Sequence, residues 1–219
     1  MSRRRYMKTS TQKKNFKKKK EMDSSVGIVG KDFVLFATDG SSGRGSIIVK
    51  NDLNKIYPLQ GNRLMAIVGE ANDRQALADF VQRNIALNYY RNGLKSTTSS
   101  VAHWVRQEMS ENLRKGKYQC SVLIGGVDEA PELYLVDQLG ALVQENYAAH
   151  GVGSHFVLAL LDKHWHQDME YQEALQLLEK CIDEIKRRVL VSSSEYCVEA
   201  CFKDKTVTIK GPKPFPPQN

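Results

Sequence analysis

Cysteine is scarce in this 219-residue chain, which has only Cys120, Cys181, Cys197 and Cys201. None of them form a CxxC pair and no secretory signal is read in the chain, so reduced thiols in a cytosolic or nuclear compartment are expected. Long apolar runs are also missing. The richest late segment, FVLALLDKHW, meets charge after six residues, far short of the roughly 20 that a membrane span needs. The first 22 residues contain no apolar stretch that could form a signal-peptide core.

Net positive charge outside the amino-terminal end is lacking as well. Residues 1–22 carry ten Lys and Arg against Glu21, a net +9 within a whole-chain charge of +7, which leaves −2 for everything else. A mildly acidic body argues against a nucleic-acid-binding domain, because phosphate contact requires basic residues gathered on the folded surface. The run KKNFKKKK reads either as a nuclear address or polyanion contact, or as a solvated extension. GSSGRGS lacks the Lys-Ser/Thr ending of a phosphate-cradling loop and reads as a connection between strands.

At 41% hydrophobic and 26% charged residues, the remainder has ordinary globular composition and enough length for one sizeable core. The expected division is a basic extension over 1–22, one folded domain over 23–210 and a Pro-rich end over 211–219. VGIVGKDFVLFAT predicts a hairpin turning at Gly30, Lys31 and Asp32. Short strands follow at Ile47–Val49, Lys55–Leu59 and RLMAIVG, which ends at Gly69. The period then changes. Leu77, Phe80, Val81, Ile85 and Asn88 form one helical stripe, and Val101, Trp104, Val105, Met109 and Leu113 form a second after the cap-rich STTSS.

Strand signals return in CSVLIGGVD, ELYLVD and ALVQENY. A short helix is expected over His155–Leu161, and a long amphipathic one over Tyr171–Arg188 with Ala174, Leu177, Leu178, Cys181, Ile182 and Ile185 inward and Asp168 as its cap. EYCVEACF and KTVTIK close the chain as strands, with Cys197 and Cys201 on one face. Strand blocks separated by helix pairs are not βαβ crossovers. They predict an α+β fold, a four-layer α-β-β-α sandwich of two antiparallel sheets flanked by helix pairs.

In that element order, GKDFVLFATD, VGEANDRQALADFVQRNIALNYYRNG and AAHGVGSHFVLALLDKHW resemble the beta subunits of the eukaryotic 20S proteasome, and among them the non-catalytic type-2 branch at the fourth beta position. The likeness covers about Val26 to Lys210 and implies the amino-terminal-nucleophile hydrolase fold. In active relatives, a threonine freed at the chain's own amino terminus attacks the peptide carbonyl. Here that position falls at Asp23, with no preceding glycine for the Gly-Thr cut.

By the same resemblance, Asp39 stands where the lysine-orienting aspartate belongs, Lys55 where the lysine beside the nucleophile belongs, and Gly69 at the oxyanion-hole glycine. Val152 replaces the relay serine and Val189 the second aspartate. The resemblance therefore implies a subunit without peptidase activity or cofactor, found in cytoplasm and nucleus. Its partners would be alpha and other beta subunits in stacked heptameric rings, with regulatory particles reaching it only through the assembled core. Two rival readings compete with this one: a hydrolase using Ser24 or Ser25 after trimming, and a nucleic-acid-binding module acting through the Lys-rich tail.

HWH places His164 and His166 at metal-ligand spacing for a strand, but nothing completes a site in sequence, and a helix end is expected instead. His103 and His150 read as packing or interface residues.

Overall fold

A computed structural model describes residues 23–44, 47–189, 193 and 195–211. The basic extension and nearly all of the Pro-rich end lie outside the described residues.

The first hairpin forms as its turn chemistry predicts: β1 (Ser24–Val29) and β2 (Phe33–Asp39) pair antiparallel, and Gly30 N–H closes the turn on Phe33 O at 2.9 Å. The chain continues through β3 (Ser42–Arg44), β4 (Ile47–Lys50), β5 (Ile56–Leu59) and β6 (Arg63–Gly69), then α1 (Ala71–Asn92) and α2 (Thr98–Asn112). After β7 (Cys120–Val127), β8 (Pro131–Val136), β9 (Leu142–Gln144) and β10 (Tyr147–Gly151) come α3 (Ser154–His164) and α4 (Tyr171–Arg188). The last strands are β11 (Tyr196–Phe202) and β12 (Thr206–Lys210).

One five-stranded antiparallel sheet runs β10-β1-β2-β11-β12 and the other β5-β6-β7-β8-β9. Three apolar layers hold the four structural layers together. Leu77, Val81, Val101, Val105 and Met109 seat α1 and α2 on the second sheet, and Leu177, Leu178, Cys181 and Ile185 seat α4 on the first. Val34, Phe36, Leu64, Leu123, Leu133, Cys197 and Cys201 fill the space between the sheets. The α-β-β-α expectation therefore holds, and so does the shared face of Cys197 and Cys201. A fully buried leucine such as Leu178 contributes about 1.5–3 kcal/mol through removal from water, which makes the helix stripes the principal glue of the outer layers.

Several local expectations are corrected by tertiary pairing. Ile47–Val49 joins neither main sheet; as part of β4 it pairs with β3 in a separate ribbon. ALVQENY is not one strand: β9 ends the second sheet, and Tyr147 already belongs to β10 at the edge of the first. Phe80 and Leu113 face outward, Phe80 stacking on Trp104 at 5.5 Å between ring centroids. The α4 cap position is Glu170 rather than Asp168, which adopts φ +62° two residues earlier. For α2 the cap-rich reading holds, with Thr97 Oγ1 accepting from Ser100 N–H at 3.2 Å.

Candidate functional site

Where β1 begins, the two sheets bring together residues far apart in sequence. Asp39, the last residue of β2, accepts at Oδ1 from Ser24 N–H at 3.0 Å and from Lys55 Nζ at 3.0 Å, and at Oδ2 from Ser41 Oγ at 2.5 Å. The Lys55 side chain is wholly buried, so it requires neutralisation within the protein. Its ammonium also meets Asp23 Oδ1 at 2.8 Å. The other Asp23 oxygen receives Gly69 N–H at 3.3 Å and an Arg74 guanidinium N–H at 3.1 Å.

Gly69 carries φ +139°, and a side chain there would press on Cys120 Cα at 2.5 Å and Gln119 O at 2.6 Å. Only glycine lets β6 turn into α1 while its N–H faces Asp23. Gly151 has a matching role on the other side. With φ +85° it passes so close to the Asp23 carbonyl that a Cβ would strike it, and the following Val152 N–H donates to that carbonyl at 3.2 Å.

The remaining sequence candidates fall into the packing. Ser24 is buried, and its Oγ accepts from Gly153 N–H at 3.0 Å. Ser25 is buried between the sheets. Val152 packs half-buried and Val189 buried against the core beneath α3 and α4. His164 ends α3, while the exposed His166 Nε2 lies 2.9 Å from Glu173. His103 Nδ1 lies 2.9 Å from Ser99 O on α2.

Ser25 stands directly opposite both His150 and Thr38 across neighbouring strands. Among the described residues, Ser25 Oγ, Thr38 Oγ1 and His150 Nε2 make no hydrogen bond. Burial pushes the His150 imidazole down to about 4, against the opposing pull of Asp137 and of backbone groups at Val136 and Val122. His150 is therefore neutral at ordinary pH.

Arg74 is the member of the site that sequence reasoning missed. Its signal was present: a cation on the buried stripe of α1, one turn before Leu77 and Ala78, and in a first turn where the helix dipole favours anions. Beside Asp23, Gly69, Val152 and His155 a shallow pocket of about 180 Å³ opens to solvent. A buried lysine, a backbone N–H and a guanidinium converging on one carboxylate are donors of the kind that stabilise negative charge on oxygen.

The proteasome subunit family model matches residues 20–201. This chain belongs to the proteasome subunit family. Among its relatives, the Neurospora crassa protein described as "Probable proteasome subunit beta type-4" is 38% identical over 193 residues, covering 86% of this chain and 95% of the relative. The Arabidopsis thaliana proteasome subunit beta type-2-A is 35% identical over 185 residues, covering 84% and 91%. The Saccharomyces cerevisiae proteasome subunit beta type-4 is 35% identical over 187 residues, covering 84% and 94%.

The chain is thus a beta subunit of the proteasome core, a multi-subunit assembly, with the fold that the sequence pattern implied. Within that family frame, Asp39, Lys55 and Gly69 come together at one site in the structure, with Asp23 among them. Val152 borders it, its backbone N–H on the Asp23 carbonyl and its side chain partly packed on the core, whereas Val189 is buried in apolar packing.

Proposed function

We propose that this beta subunit is non-catalytic. It closes its ring and helps enclose the proteolytic chamber, while peptide hydrolysis belongs to other subunits. The observation that carries the reading is the group presented to Lys55: at 2.8 Å stands the carboxylate of Asp23, and the family mechanism requires a hydroxyl beside a free α-amino group at that position. Two further features support it. Ser24 and Ser25 are both buried, Ser24 Oγ being engaged by Gly153 N–H, so neither hydroxyl faces the pocket. The relay positions hold Val152 and Val189, which move no proton.

The partners are alpha and other beta subunits in stacked heptameric rings, and regulatory particles meet this chain through the assembled core. The compartments are cytoplasm and nucleus. The test uses purified particles. A peptide electrophile that acylates active-site threonines is expected to label other beta chains and leave this one unlabelled, and mass spectrometry is expected to find no chain beginning at Ser24 or Ser25. A labelled serine at a new amino terminus overturns the reading.

A further inference from the structure

The Lys55, Gly69 and Arg74 donors leave a question of charge. Around Asp23 the protein places two buried cations, Lys55 and Arg74, and two carboxylates, Asp23 and Asp39. Asp39 is already engaged by Ser24 N–H, Ser41 and Lys55. The Arg74 guanidinium has no other ion-pair partner among the described residues. It lies in the first turn of α1, where the exposed N–H groups add positive potential of their own. Its other contacts are with neutral groups: one N–H also reaches Gly69 O at 3.2 Å and the guanidinium acts on the Tyr57 hydroxyl, while Nε is buried without a hydrogen-bond partner among the described residues. Without the Asp23 carboxylate this corner carries an uncompensated buried positive charge, which a low-dielectric site tolerates poorly.

We propose that Lys55 Nζ, Gly69 N–H and the Arg74 guanidinium form an anion-binding site whose resident ligand is the chain's own Asp23 carboxylate, and that the external ligand it fits is a small carboxylate. The inference rests on the reading that residue 23 is no nucleophile and adds what residue 23 does instead. Asp23 fills both oxygen positions of the cradle, one against the ammonium and one against the N–H pair. A tethered ligand acts at an effective concentration in the mM range or above, so a free carboxylate in the adjoining pocket has to displace it at that disadvantage. The cradle is therefore shut from within, and the same contacts pin the start of β1 to β6 and α1.

The test is hydrogen exchange of the 23–39 segment in assembled particles carrying Asp23→Gly, in sodium formate and in sodium chloride at equal ionic strength. Faster exchange than wild type is expected in chloride, and formate at about ten times its dissociation constant should slow it by about tenfold. Wild type should respond equally to both salts, and Asp23→Gly with Lys55→Met should show no formate effect. Where the single variant assembles poorly in chloride, recovery of assembly yield in formate becomes the readout. Equal behaviour in the two salts, or equal rescue of the double variant, overturns the proposal. Because the readout is exchange or yield, this outcome is independent of the labelling result that tests the absence of catalysis.

Discussion

Strand β6 carries a buried cluster of charges at each end, and the two clusters differ in what they leave open. At the Arg63 end, one cation and one anion satisfy each other. The Arg63 guanidinium pairs with Asp128, donates to Thr98 Oγ1 at 3.0 Å and to Gln60 O at 2.9 Å, and Asp128 accepts Thr98 N–H at 2.6 Å where α2 begins. At the Gly69 end, two cations meet two carboxylates beside a pocket, and Arg74 Nε lacks a partner among the described residues. Buried charge alone marks neither end as functional. The first cluster is a closed clamp between a strand, a helix start and a turn, whereas the second retains the converging donors of a binding site.

The largest expected effect comes from removing the cation shared by two carboxylates. Lys55→Met leaves Asp23 and Asp39 without their common ammonium and should cost about 3–5 kcal/mol, read from the denaturant dependence of hydrogen exchange in the first sheet. Peptidase activities of those particles that still assemble should stay at wild-type level. A selective loss of one activity would give the site a catalytic part and break the comparison.

At the closed end the expected effect is smaller and depends on pH. Burial raises the Asp128 carboxyl, but hydrogen bonds from Thr98 and the charge of Arg63 outweigh it and hold the group below its ordinary 3.8. Its stabilising contribution is therefore complete above that value and disappears as pH falls through the lower folded one. Asp128→Asn should cost about 1–2 kcal/mol at neutral pH. The gap to wild type should close in acid, as measured by urea unfolding of particles across that range.

Glu199 sharpens the contrast from the opposite side, because it is a buried carboxylate held by Asn54 Nδ2 at 2.7 Å with no Lys or Arg in ion-pair distance among the described residues. Burial raises its carboxyl despite the Asn54 hydrogen bond. Stability linked to this group is complete below the ordinary carboxylate range and is lost as pH rises through the raised folded value. Glu199→Gln should therefore be more stable than wild type by about 1 kcal/mol at neutral pH and equal to it in acid, by the same unfolding measurement.

Much of the site was legible because resemblance supplied positions that local reading could not. Asp39 ends a strand of otherwise buried apolar and Thr residues, and Lys55 begins a short one; nothing in either segment announces that they meet at 3.0 Å. Arg74 was missed because the stripe through Leu77, Phe80 and Val81 treats an arginine as its solvent boundary. The structure instead turns Arg74 inward and Phe80 outward. Resemblance only implied the nucleophile position for Asp23, and its bridging of Lys55, Gly69 and Arg74 depends on where its two oxygens point.

Taken alone, the sequence determined the elements and their order: the hairpin at Gly30–Asp32, a cap within STTSS, and the amphipathic stripe of α4 from Ala174 to Ile185. These follow from turn chemistry and side-chain periodicity, which act between residues a few positions apart. Tertiary structure alone decided the pairing of β1 with β10, from Ser24 against Gly151 to Ile28 against Tyr147, the separation of β4 from both sheets, and the meeting of Asp23 with Arg74. Hydrogen-bond register and charge pairing act across space, and their partners become defined only once the sheets have stacked.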